Sequence, residues 1–460
     1  MKFSWSLAGA AVARFGRSAV LLTYGVTALR LAGFVIVLPL ALRTMPPEDV
    51  GFWYVLLTLG GLFSLGDVAF SPVISRRASY HHAGVETIPD LGLPVPAAAA
   101  AGPDLAGLAG LAQLAGRLYL RMALGFGGLL AVVGWVWLEW QHPATFARPE
   151  NRAAFLLFVA ANTAGGAGQF WPALLFGVNR VHAYQRVFIG GLVANYVVAL
   201  TGLVLGWGIM ALVLGQVVLG IFPRWLAGRM FRAEFPIDAV TTPRVTRWRD
   251  IWPAAWRTGL ANFGSFFSLQ GTTLVCAQVL GLAVTASFSL SLQLALTLHS
   301  VAAAWLFVKY PEISARLARN ERAAARALVR RRMALVLASY AVAAVAAWWT
   351  AAPLVRALGS RTPLLGAEAF ALLLVMVGCD LFHGMHNAVL QTSNRLPHVW
   401  ALVGGGVLTM ILGAVLAARW GVVGLIAAPV LAQLPFTYAW TVRACWRGLR
   451  GGAGESPPGK

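Results

Sequence analysis

An arginine stands where a membrane-spanning run should carry none. Arg30 lies eleven residues into the first long apolar stretch, 19–42, so roughly 16 Å of helix at ~1.5 Å per residue separates it from the interface. A side chain cannot comfortably snorkel that far, and an arginine at mid-bilayer costs at least ~2.5–3.5 kcal/mol on insertion scales. Two kinds of partner would offset that cost. One is an anionic ligand, a pyrophosphate or a sugar acid, in a water-filled cavity, where the guanidinium fork matches phosphate oxygens. Thr23 and Thr27 share a helix face with Arg30 and would line the same cavity. The other is a buried structural ion pair with Asp67 or Asp380.

Asp380, His383 and Asn387 form a second cluster, at i, i+3 and i+7 on one face of a helix and flanked by His386. An acid and a histidine at membrane depth can carry protons, because histidine titrates near neutrality, and that would suit a proton-coupled antiporter. The plainer alternative has the histidines hydrogen-bonded to neighbours near a cytoplasmic mouth. As a metal site the set is thin. Thr285, Ser289, Gln293, Thr297 and Ser300 run down one face of the eighth apolar run, and Asn262, Ser265, Gln270 and Thr273 crowd the seventh. Such stripes bind sugar hydroxyls or glue helix to helix. Asn162, Gln169, Asn195 and Gln216 carry a weaker version of this signal earlier in the chain. Asp67, near the cytoplasmic end of its run, is expected to pair structurally with Arg76 or Arg77.

The elements that position these groups are apolar spans. Of 460 residues 59% are hydrophobic and 11% charged, against about 25% charged in a soluble domain. Runs of about 20 apolar residues predict twelve helices near 19–42, 50–73, 117–140, 153–177, 187–205, 209–230, 258–280, 283–308, 332–352, 366–389, 399–418 and 421–442. The first is long enough to stay in place as a span rather than be cleaved. With both termini cytoplasmic, Arg43, Arg148, Arg152, Arg356, Arg361 and Arg419 face outward, Arg30 lies within a span, and all other basic residues face the cytoplasm. That asymmetry is the positive-inside pattern. It accounts for the net charge of +20 through topology and anionic headgroups, without nucleic acid. Cys276, Cys379 and Cys445 have no CxxC spacing, so neither disulfide nor zinc is indicated.

The cytoplasmic segment 75–116, rich in Ala, Gly and Pro, reads as a linker. Residues 231–257, with Trp248, Trp252 and Trp256 among arginines, suit the headgroup level, and 312–332 reads as a cytoplasmic extension of the eighth span. The external connections are short. A weak internal repeat joins each span n to span n+6. Pro72-Val73-Ile74-Ser75 matches Pro311-Glu312-Ile313-Ser314, Asn179-Arg180 matches Asn394-Arg395, and Trp207-Gly208-Ile209-Met210-Ala211-Leu212 matches Trp420-Gly421-Val422-Val423-Gly424-Leu425. These matches predict an all-α fold of two six-helix lobes, 1–231 and 258–443, with a linker at 232–257, a tail at 444–460 and a central cavity between the lobes. Transporters are often built from such repeats.

The stretch 30–79, with Arg30, Pro39-Leu40, Pro47-Glu48-Asp49-Val50-Gly51 and Leu65-Gly66-Asp67, resembles the opening of polysaccharide flippases of the multidrug/oligosaccharidyl-lipid/polysaccharide exporter superfamily. Tyr310-Pro311-Glu312-Ile313 through Arg332 resembles that family's passage after its eighth helix. The resemblance implies an inner-membrane flippase that moves undecaprenyl-pyrophosphate-linked oligosaccharide by alternating access. Its partners would be lipids and other polysaccharide-assembly proteins; it would use no cofactor. No GxxxxGK[ST] loop for ATP occurs in the sequence either. Within this reading Arg30, Thr23, Thr27, Asn262, Gln270, Gln293 and Thr297 would meet the cargo, and Asp380, His383 and Asn387 would couple an ion. Two alternatives stay open: a drug or organic-cation antiporter of the same superfamily, and a membrane-embedded polymerase or ligase acting on the same lipid carrier. Arg30 speaks against the first and the short external loops against the second.

Overall fold

The computed structural model describes residues 19–84, 102–309, 312–313, 316–317, 321–391 and 399–450. Every regular element among them is helical. The helices are α1 (Ala19–Thr44), α2 (Pro47–His82), α3 (Leu105–Gln141), α4 (Pro149–Gly177), α5 (Val181–Val204) and α6 (Ile209–Glu234). They continue with α7 (252–280, interrupted at Gln270), α8 (Leu282–Phe307), α9 (Arg322–Ala357), α10 (Ala367–Gln391), α11 (399–419) and α12 (422–450). Nine helices among the described residues are long and apolar enough to cross a membrane, and one of these, Trp400–Gln433, contains the break between α11 and α12. Together with α1 and α2 this is an all-α polytopic membrane protein of about twelve spans.

Two compact units divide the chain. The first holds the described residues up to Asp49 and from Leu56 to Asn262; the second holds Val50–Val55 and the residues from Phe263 onward. The early turns of α2 thus belong to the second unit. Gly51 makes this possible: a Cβ there would lie 2.0 Å from the Leu282 carbonyl oxygen, so only glycine allows the approach. Three residues on, the Tyr54 hydroxyl donates to Gln293 Oε1 at 2.8 Å.

The internal repeat is visible in the backbone at one place in each unit. Gly208, opening α6, has φ 54° and ψ −130°, and Gly421, opening α12, has φ 60° and ψ −144°. Both follow a tryptophan, and both take a positive φ that a Cβ disfavours, so the Trp-Gly pair makes the same reversal twice. The other two matches are less informative. Asn179 adopts a positive φ of 62°, but its counterpart Asn394 lies outside the described residues, as do Pro311 and Ser314. Pro72 does not end its helix, which continues to His82. The linker expected at 75–116 is therefore shorter than the sequence suggests, and its Ala- and Pro-rich part, 85–101, lies outside the described residues.

The segment 231–257 is anchored to the first unit. Ile237 and Ile251 are buried in that unit's core with Phe70, Leu108 and Phe231, and Trp248 packs 5.4 Å from Phe70. Asp104 fastens the join. Its Oδ1 caps α3 by accepting from Gly107 N, while its Oδ2 meets both His81 Nδ1 and Arg244 Nη1 at 2.9 Å. Two of the arginines assigned to the far side are neutralised there, Arg148 by Asp49 at 3.0 Å and Arg152 by Glu139 at 2.8 Å. In the second unit, Glu312 bridges Lys309 and Arg316 at 2.9 and 2.7 Å.

Candidate functional site

Several polar groups of the first unit converge at one point. Glycines prepare it. Gly165 sits so close to α6 that a Cβ would lie 2.6 Å from the Gly220 carbonyl oxygen, and one on Gly168 would lie 3.0 Å from the Arg224 Cβ. With no side chains between them, α4 and α6 meet backbone to backbone. Helix α4 loosens at this contact, where the Gly168 and Gln169 amides donate to the carbonyls of Gly165 and Gly166. Gln169 is thereby carried across to face α2 and α6 together.

The result is a relay of hydrogen bonds through four helices. Asp67 on α2 accepts from the Tyr119 hydroxyl on α3 at 2.9 Å and from Gln169 Nε2 at 3.0 Å. The other end of that amide, Gln169 Oε1, accepts from Arg224 Nε on α6 at 2.6 Å, and Arg224 Nη1 donates to the Leu219 carbonyl at 2.5 Å. One glutamine thus links a carboxylate to a guanidinium. A guanidinium has five N–H donors, and the bonds described engage only its Nε and Nη1. The relay borders a cavity of about 180 Å³ whose lining includes Gly60, Asp67, Tyr119, Asn162, Gln216 and Arg224. Such a site can offer N–H donors and amide groups to an anionic or hydroxyl-rich ligand. Its one carboxylate is already occupied by neutral donors and lies near the arginine's charge.

The sequence reading locates part of this site. Asn162, Gln169 and Gln216 do line one cavity, whereas Asn195 is packed where α5 meets Gly215 of α6. Asp67 reaches Tyr119, Gln169 and the field of Arg224, rather than the expected Arg76 or Arg77, because its side chain points into the bundle. Arg224 escapes the sequence reading because it lies within ten residues of the basic end of α6 and passes for one more topology charge. Its signal is present all the same: position 224 falls inside the span predicted at 209–230. The side chains of Arg30, Thr23 and Thr27 lie outside the described residues; only their backbone, in α1, is described.

The second unit disperses its polar groups. Asp380 lies with Oδ2 3.8 Å from His299 Nε2 on α8, a neighbour the sequence reading does not propose. His383 stacks on Tyr438 at 4.4 Å and bonds Thr441 Oγ1 at 3.2 Å. The Thr441 hydroxyl proton is committed to the Thr437 carbonyl, so His383 Nε2 is the donor. His386 is held as a neutral ring: Nδ1 donates to the Phe382 carbonyl and Nε2 accepts from Trp446. Asp380 and His383 thus have different partners. Asn387 is half-buried.

Along α8, Thr285, Thr297 and Ser300 donate to carbonyls four residues back, while Ser289 is buried and Gln293 receives Tyr54. Gln270 is exposed at the interruption of α7, and Asn262 is half-buried where the first unit ends. No group of His, Cys, Asp and Glu suited to a metal occurs among the described residues.

No protein-family model matches the chain, and no curated protein matches it by sequence. Solved structures do. A multidrug-resistance MATE family transporter of the MOP superfamily, in an inward-facing conformation, matches 90% of this chain and 94% of its own at TM-score 0.64 and 12% identity. The lipid II flippase MurJ, inward closed, matches 94% and 89% at TM-score 0.60 and 11% identity. A point mutant of the Vibrio cholerae MATE transporter VcmN matches 95% and 97% at TM-score 0.57 and 16% identity. At these identities what is shared is the fold: the chain is built like the MATE and MurJ transporters.

Proposed function

We propose that this protein is a flippase that carries an oligosaccharide linked to a polyprenyl pyrophosphate, of the undecaprenyl type, across a bacterial inner membrane by alternating access. It would serve the assembly of a surface polysaccharide and break no covalent bond. The observation that carries the reading is the Arg224–Gln169–Asp67 relay beside the cavity of the first unit. A guanidinium suits phosphate oxygens two at a time, and its attraction strengthens as water is displaced and the local dielectric falls. Asn162 and Gln216, together with Tyr119, supply the amide and hydroxyl groups that sugars need. An organic cation would find little here, because Asp67 is engaged by Tyr119, Gln169 and the charge of Arg224. The fold is shared by a lipid II flippase and by multidrug transporters, so the choice between them rests on the site.

In this reading Arg30, Thr23, Thr27, Asn262, Gln270, Gln293 and Thr297 are further cargo contacts along the path. Asp380, with His299, His383 and Asn387, is the region through which an ion gradient would act. Both termini would be cytoplasmic, and the basic segments would lie against anionic headgroups. The test is flipping of a fluorescent undecaprenyl-pyrophosphate oligosaccharide in proteoliposomes holding the native chain. Transport above that of empty vesicles is expected. No transport of that lipid, together with extrusion of a cationic dye on imposing a pH gradient, would replace the flippase with an antiporter.

A further inference from the structure

Toward the C-terminal end of α6, beyond the relay, lies a second cleft of about 350 Å³, formed by Trp171, Trp225, Gly228, Arg229 and Arg232. From its geometry we infer a binding site for the phosphate headgroup of an anionic phospholipid in the cytoplasmic leaflet. The inference stands whichever cargo the protein moves.

Three observations build it. Phe222 and Trp225 are exposed on a helix apolar enough to span, Trp225 by 55%. A large exposed ring on such a helix faces acyl chains, and tryptophan collects at the headgroup boundary. One turn after Trp225 the exposed face changes to arginine: Arg229 lies 5.7 Å from the Trp225 ring centroid, and Arg232 lies 4.5 Å from that of Trp171. Gly228 sets this arrangement, since the Trp171 ring lies 3.1 Å from where its Cβ would be. Stacking on an aromatic uses the face of a guanidinium and leaves its in-plane N–H donors available. Arg232 has only a loose ion pair, with Asp238 at 3.7 Å, and its side chain is 50% exposed. Arg229 has no acidic partner among the described residues.

The site therefore presents two forks of N–H donors directly above lipid-facing aromatic rings. A phosphodiester with two acyl chains fits both parts; a soluble anion fits only one. Basic pockets between spans on the cytoplasmic side bind anionic headgroups for this reason.

The experiment is native mass spectrometry of the full chain in detergent, titrated separately with phosphatidylglycerol and phosphatidylcholine, then with phosphatidylglycerol in the presence of inorganic phosphate. The native chain should retain phosphatidylglycerol preferentially, and Arg229→Gln with Arg232→Gln should weaken that retention roughly tenfold or more, with phosphatidylcholine unchanged. Arg326→Gln, an exposed arginine of α9 in the other unit, should leave retention as it was. If the double variant does not fold, Arg229→Gln alone takes its place, with retention expected to fall about fivefold. Unchanged preference in the variant, or an equal loss with Arg326→Gln, would overturn the site. Displacement by inorganic phosphate at comparable concentration would assign the cleft to a free anion and overturn the lipid.

Discussion

In the first unit an aspartate and an arginine from distant helices are joined through Gln169 beside a cavity. In the second, Asp380 stands 3.8 Å from His299, His383 turns to Tyr438 and Thr441, and the hydroxyls of Thr285, Thr297 and Ser300 fold back on their own helix, α8. Both units place acids and amides on apolar helices, and in the first an amide joins an acid to an arginine beside a cavity. Backbone approach is common to both, since a Cβ on Gly264 of α7 would lie 2.5 Å from the Leu402 carbonyl oxygen of α11; what the first unit adds is a polar side chain carried across such a contact. Gly165 and Gly220 let α4 and α6 touch, and a loosened turn then projects Gln169 across the gap. On α8 of the second unit, Thr285, Thr297 and Ser300 satisfy themselves locally, four residues back.

The largest disruption should come from filling that contact. Gly165→Leu has no space, and overpacking of this kind typically costs about 1–3 kcal/mol. It should lower the melting temperature in detergent more than any other change named here and abolish transport. Gly413→Ala in the second unit, where a Cβ would meet its neighbours at an ordinary 3.6 Å, should leave both nearly unaltered. Equal losses would erase the contrast between the units.

A double-mutant cycle sharpens it further. Asp67→Asn and Arg224→Met should couple by roughly 1–2 kcal/mol in melting experiments, as members of one hydrogen-bonded network do. Asp380→Asn and His299→Gln, whose side chains meet without a hydrogen bond, should couple by less than about 0.5 kcal/mol. Reversed magnitudes would make the second unit the organised one.

A smaller effect is expected outside the membrane, at His81. Burial pushes its pKa below the usual histidine value, against the pull of Asp104. The unfolded chain therefore binds the proton more readily than the folded one, so this contribution to stability is present above the ordinary histidine range. It is lost as pH falls through that range toward the lowered folded value. Melting temperature should drop between pH 7.5 and 5, and His81→Gln should flatten the drop; an unchanged profile would contradict the assignment. The smallest effect belongs to Ser300→Ala, whose hydroxyl returns to the Leu296 carbonyl of its own helix. Stability should change by no more than about 0.5 kcal/mol and transport by less than about twofold.

The spans were legible in the sequence because apolar length is a local property, and the Trp-Gly reversal at 207–208 and 420–421 was legible because only glycine takes that backbone. The site was legible in part. Asn162, Gln169 and Gln216 stood out as amides in apolar runs, but nothing local told that Asn195 would be packed elsewhere. Arg224 was hidden by its nearness to Arg229 and Arg232, which made it look like one more charge at a helix end. That Asp67 would meet it through Gln169 depends on Gly165 and Gly220, residues from different helices whose contact no local pattern records. The i, i+3 spacing of Asp380 and His383 placed them correctly on one helix, but spacing on one helix does not choose the neighbouring helix each will face.

The role of Arg224 is tested most directly by flipping of a fluorescent undecaprenyl-pyrophosphate oligosaccharide by proteoliposomes containing the native chain, Arg224→Gln or Arg224→Lys, each checked for folding. Transport by the native chain is expected, with a loss of at least about a hundredfold with Gln and partial recovery with Lys, which keeps the charge but not the fork. Full transport by Arg224→Gln in a correctly folded protein would contradict that role, because the cargo would then pass without the group around which the first unit is organised.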